Sequence, residues 1–180
     1  MRIGNESLLN HPIAAFVGPR DGLESQDKQH FTDAIGHWLD TGGVVLTGGA
    51  LGADALAIEA AMNWAYDNHK DHVPVIVALP RTNTPIALND KHVLNAVPKT
   101  NAKLFDGVAN SGGLIIQKNQ GATVPDRDAY LDRDALMVKL AEHVFVAAYL
   151  NPKSGTGATI RHAQRNNVPV TICGRNLVSA

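Results

Sequence analysis

Short unbroken apolar runs alternate along this chain with longer segments in which apolar residues recur every three or four positions. IAAFVG (13–18), VVLTGG (44–49) and VPVIVALP (73–80) are runs of the first kind, bounded by Gly and Pro. Continuous runs of this sort predict strands of a parallel sheet buried on both faces. Between them, DKQHFTDAIGHWLDTG carries Phe31, Ile35, Trp38 and Leu39 at helical spacing and stops at Gly42 and Gly43. ADALAIEAAMNWAYDN places Leu56, Ala60 and Trp64 on one helical face. Beyond Pro80 the pattern loosens. The stretch NDKHVLNAVPKTNAKLFDGVANSG predicts one or two helices broken at Pro98, GLIIQ a short strand, and KNQGATVPDRDAYLDR a long loop. DRDALMVKLAEH then predicts a helix with Leu136, Met137 and Leu140 inward, VFVAAYL a strand, GATIRHAQRNN a helix and VPVTIC a last strand.

Strands alternating with helices imply right-handed crossovers. Residues 1–180 therefore read as a single α/β domain with a mostly parallel sheet and helices on both faces; no repeat or low-complexity segment interrupts it. Ligands of such sheets bind outside the carboxyl ends of strands, near the point where the strand order reverses. That rule singles out the loops after Gly18, Thr47, Leu79 and Leu150.

Composition changes this picture little. The chain has 180 residues, 44% hydrophobic and 18% charged, enough for a real core. The formal net charge of −1 lacks the basic excess usual in nucleic-acid binders, but a local basic patch is compatible with it. Cys173 is the single cysteine, so no intrachain disulfide forms, and its apolar neighbours make it a small core residue. No apolar run reaches the roughly 18 residues of a membrane span, and MRIGNESLLNHP lacks a signal-peptide h-region. The expectation is a soluble cytoplasmic protein without membrane partners.

Candidate chemistry sits in the glycine turns. KSGTGATIR (153–161) and LTGGALGADALA (46–57) each leave a strand, turn through Gly and enter a helix. Glycine lets a ligand approach the backbone closely. The first helical turn offers unpaired N–H groups and a partial positive charge, which favour phosphate or carboxylate. Ser154, Thr156 and Thr159 add hydroxyls, and Lys153 and Arg161 could add charge. Neither turn matches a P-loop or the dinucleotide fingerprint. Asp54 either caps its helix or bonds a ligand hydroxyl. Arg20, in FVGPRDG, could hold a phosphate with its guanidinium fork. The eight histidines show no zinc spacing, and His69 with His72 reads as a solvated helix end, so no metal or cofactor is expected. Phe31, Trp38 and Trp64 point to the core, whereas Tyr130 could stack on a base or pack in the core.

Taken in order, AFVGPR, LTGGALGADALA, VPVIVALP, PKTNAKLFDGVANSGGLII, DRDALMVKLAEHVFVAA and SGTGATIRHAQRNNVPVTIC resemble the Rossmann-like domain of the DprA/Smf DNA-processing family, within the SLOG superfamily. The resemblance spans roughly 13–173. It implies a phosphate-binding groove built from the glycine loops, single-stranded DNA as the ligand, a role in DNA processing or recombination, and a homodimer. Carried over, the groove comprises Gly18 and Arg20; Gly48, Gly49, Gly52 and Asp54; Lys99 and Asn101 of the Pro-Lys-x-Asn segment; Arg133; and Ser154, Gly155, Thr156, Gly157 and Thr159. Where the family commonly carries Arg-Asn-Arg, this chain has Arg133, Asp134 and Ala135, with Asp126 and Asp132 nearby. Those carboxylates favour a smaller nucleotide-derived ligand as the alternative. A third reading, a Lonely Guy-like phosphoribohydrolase, needs a catalytic Glu after the last glycine loop, and none occurs before Gln164.

Overall fold

The computed structural model describes residues 2–82, 102–119 and 127–178. Its elements are β1 (Arg2–Gly4), a 3-10 turn (Glu6–Asn10), β2 (Ile13–Val17), α1 (Ser25–Asp40), β3 (Val44–Thr47), α2 (Ala53–Asp67), β4 (Val75–Thr82), α3 (Ala102–Asn110), β5 (Leu114–Asn119), α4 (Arg127–Leu140), β6 (His143–Val146), α5 (Gly155–Arg165) and β7 (Val170–Ile172). The strands form one seven-stranded sheet in the order β1-β5-β4-β3-β2-β6-β7. Every pairing is parallel except β1 with β5. From β2 the chain steps through β3 and β4 to β5, then returns to place β6 on the other side of β2. The order thus reverses between β2 and β6, and a crevice must open at their carboxyl ends.

Alternation along the strands builds a core on each face. Ala14 and Phe16 of β2 join Phe31, Ile35 and Leu39 of α1 and Ala57, Ile58 and Ala61 of α2 on one side. Ile13, Ala15 and Val17 join Met137 and Val138 of α4 and Ile160 and Ala163 of α5 on the other. Phe16 stacks on Phe145 with ring centroids 4.8 Å apart and meets Phe31 edge-on at 5.7 Å.

The expected α/β architecture holds, with corrections. The last stretch of the expected long loop, from Arg127, is already helix α4. Its buried face is Ala129, Asp134, Met137 and Val138, while Leu136 and Leu140 are half-buried at its edges. On α2 the buried stripe is mostly alanine, and Leu56, Ala60 and Trp64 flank it. Small residues there let α2 lie close to both α1 and the sheet. β1 and the 3-10 turn had no counterpart in the hydropathy pattern. The helices expected around Pro98 lie outside the described residues except for α3. Among the described residues no helix is long and apolar enough to cross a membrane.

Candidate functional site

The loops after β2, β3 and β6 meet at one end of the sheet because their strands are parallel neighbours. They enclose a cavity of about 460 Å³ at the switch point. Of the residues expected in the groove, Gly18, Arg20, Asp54, Arg133, Ser154, Gly155, Thr156 and Thr159 line it. Gly48, Gly49, Gly52 and Gly157 shape the surrounding backbone instead. Lys99 and Asn101 lie outside the described residues.

The loop after β6 opens onto the cavity. Ser154 caps α5: its Oγ accepts from the Gly157 N–H at 3.1 Å and donates to the Asn151 carbonyl at 2.6 Å. Thr159 donates to the Gly155 carbonyl at 3.2 Å and is buried. The next amides, those of Gly155 and Thr156, donate to no acceptor among the described residues. They are the orphan donors of a helix start, and both residues line the cavity. A side chain at Gly155 would meet nothing within 4 Å, and its φ is not positive. Folding therefore does not require glycine there, whereas close approach of a ligand to the backbone would. Arg20 stands on the opposite wall, exposed, and makes no ion pair among the described residues. Arg161 turns back onto the Pro152 carbonyl and so braces the loop rather than the cavity.

The loop after β3 works differently. Its Gly48 makes room for Arg133, whose Nη1 donates to the Gly48 carbonyl at 2.9 Å. Any Cβ at Gly48 would collide with that guanidinium. Arg133 Nε donates to Asp134 at 2.8 Å, and the guanidinium lies 5.7 Å over the Tyr130 ring. Tyr130 is therefore occupied by Arg133 on α4, not displayed from a loop. Asp54 folds back, accepting from the Ala50 N–H at 3.1 Å, and the Ala53 N–H is taken by the Pro19 carbonyl at 3.1 Å. The first glycine turn thus takes up its Ala50 and Ala53 amides internally, with the Asp54 carboxylate itself filling part of the space at the helix start.

The cavity floor thus carries two buried carboxylates, Asp54 and Asp134, beside the partly buried Arg133 guanidinium. Asp134 was noted in the sequence only as an added charge; the structure buries it against Arg133. Burial pushes the Asp54 carboxyl up to about 6, partly offset by Arg133 and the Ala50 N–H. Asp134 is likewise raised by burial, against the pull of Arg133 and, more weakly, His162. Since Asp54 holds its proton more tightly folded than at its ordinary 3.8, stability is greatest below that value and falls as pH rises through about 6. Asp54→Asn should therefore raise stability at pH 7.5 by up to about 2 kcal/mol and flatten its pH dependence between 5 and 7. Thermal melts of both proteins across that range check it; an equal pH slope would contradict it.

Cys173 packs partly buried against the core, as expected from its apolar neighbours, and burial pushes its thiol up to about 11. Among the described residues no group of His, Cys, Asp and Glu is placed to hold a metal ion. Sequence reasoning missed Arg175, which binds Asp27 and steadies the loop that carries Arg20. Arg175 donates to Asp27 through its main-chain N at 2.8 Å, Nε at 2.9 Å and Nη2 at 2.7 Å, and also to the Gly22 carbonyl.

Comparisons with known proteins agree with the fold. DNA processing protein A from Helicobacter pylori, studied for its single-stranded DNA binding mode, superposes with a TM-score of 0.73 at 25% identity, over 95% of this chain and 69% of that one. The Streptococcus pneumoniae protein of the same name gives 0.70 at 24% identity, over 95% of this chain and 53% of that one, so the chain spans about half its length. A molybdenum cofactor binding protein from Rippkaea orientalis shares the fold at a TM-score of 0.56 and 18% identity, covering 90% of this chain and 76% of that one. No curated protein sequence matches. The sequence itself matches the description of DNA recombination-mediator protein A over residues 1–179, and the chain belongs to that family.

Proposed function

We propose that this protein binds single-stranded DNA through its phosphates in the switch-point cavity, as part of a DNA-processing or recombination role. The observation that carries this reading is the pair of amides at Gly155 and Thr156, unclaimed among the described residues, in a cavity that Arg20, without an ion pair among those residues, also lines. Exposed Lys153 adds positive charge beside them. Family membership and the ligand of the Helicobacter pylori protein support the choice of DNA over other anions. A cytoplasmic homodimer, implied by the resemblance, belongs to the same reading; sedimentation gives its mass.

A second reading has its own observation. Asp54 and Asp134 on the cavity floor repel a polyanion but accept hydrogen bonds from hydroxyl or N–H groups, which suits a small nucleotide-derived ligand. Salt separates the two. Affinity for a labelled oligothymidylate should fall with a log–log slope of roughly −0.7 per phosphate engaged, whereas a mononucleotide should respond far less. Gly155→Leu should keep the wild-type melting temperature yet lose about ten-fold or more in oligonucleotide affinity, because the added side chain covers the free amides. Fluorescence anisotropy decides: unchanged affinity in that variant, or no binding at low salt, would remove the DNA reading.

A further inference from the structure

We propose that the nucleotide next to the one held at the switch point sits in a second hollow, on the far side of Arg20. This rests on the phosphate-binding reading above. The hollow measures about 390 Å³ and shares Arg20 and Asp21 with the first cavity, so the two adjoin at those residues. Its volume is within the usual range of small-ligand sites. Leu23 and Leu56, half-buried against the core, give it an apolar wall on which a base face can lie. Lys28 stands on its rim, exposed and without an ion pair among the described residues. The strand would therefore find one cation where the two adjoin, Arg20, and another beyond the base wall, Lys28.

Asp21 and Glu59 also face this hollow, both exposed. Their repulsion of a phosphate is reduced by solvent and salt, but they leave the hollow with no excess positive charge. Attraction there is local to Lys28 and works together with the apolar wall. The larger hollow of about 560 Å³ around Trp64 and Lys70 cannot extend the same path, because Val44 and Pro74 place it at the amino ends of the strands.

The test compares thymidine monophosphate with 5′-phosphorylated thymidine oligomers of increasing length, by calorimetry on wild type, Lys28→Ala and Lys28→Glu. Lys28 is exposed, so both variants should fold, and a thermal melt verifies it. The expected result is a gain of about ten-fold from one nucleotide to two. Lys28→Ala should lose about five-fold of that gain, Lys28→Glu more, and the monophosphate should bind all three proteins alike. No gain from the second nucleotide, or equal weakening of the monophosphate and the dimer by Lys28→Ala, overturns the second hollow while leaving the switch-point site standing. If neither nucleotide nor oligomer binds wild type, the phosphate reading falls and this inference with it.

Discussion

Gly52→Ala should destabilise the protein by about 4 kcal/mol. Gly52 begins α2 at φ 80° and ψ −126°, a conformation that side chains other than glycine's hydrogen rarely adopt. A Cβ there would also be driven into the carbonyl of Arg20, a backbone atom that cannot swing aside. The strain and the clash act on the same loop, so any protein that does fold should hold Arg20 out of place and bind DNA weakly. Gly155→Leu is the contrasting case, losing binding without losing stability. Urea unfolding monitored by circular dichroism measures the effect. A change below about 1 kcal/mol would mean that the turn relaxes freely and that its glycine is incidental.

Arg175→Ala should destabilise the protein, visible as a lowered melting temperature, because it leaves the buried Asp27 carboxylate without its cation. The pair joins residues 148 positions apart and closes the C-terminal segment over the start of α1. The hydrogen bonds from Arg175, with that from the Glu24 N–H, hold Asp27 down to about 2 from its ordinary 3.8, against the opposing effect of burial. A depressed carboxyl contributes stability above its ordinary value and loses it as pH falls through the folded one. Wild type should therefore lose stability between about pH 4 and pH 2 on this account, and Arg175→Ala should lose much less over the same span. Equal acid sensitivity in both proteins would place the stabilising interaction elsewhere. Because Arg175 also holds the Gly22 carbonyl, the variant should loosen the loop bearing Arg20 and weaken DNA binding as well.

How much of this was legible depended on how local the cause was. β2, β3 and β4 are buried on both faces, so their hydrophobicity is continuous and shows at once in the sequence. α4 was misjudged at its start because between Arg127 and Asp132 only Ala129 is buried, so no apolar stripe marks the helix before Leu136 and Met137. β1 is three residues long and takes its partner from β5, more than a hundred positions away, so no local period announces it. The glycine turns were visible as turns, but their division of labour was not. Nothing in LTGGALGAD says that Arg133 and Asp54 fill the space that its counterpart leaves open. The Asp27–Arg175 clamp is wholly non-local, and no spacing rule reaches it.

The most direct test of the central claim is an amide chemical-shift titration of the labelled protein with a short oligothymidylate. The largest perturbations should fall on the backbone N–H groups of Gly155 and Thr156, with Arg20 and its loop responding next. Perturbations centred instead on the opposite end of the sheet, around Val44, Trp64 and Lys70, with Gly155 and Thr156 silent, would contradict it.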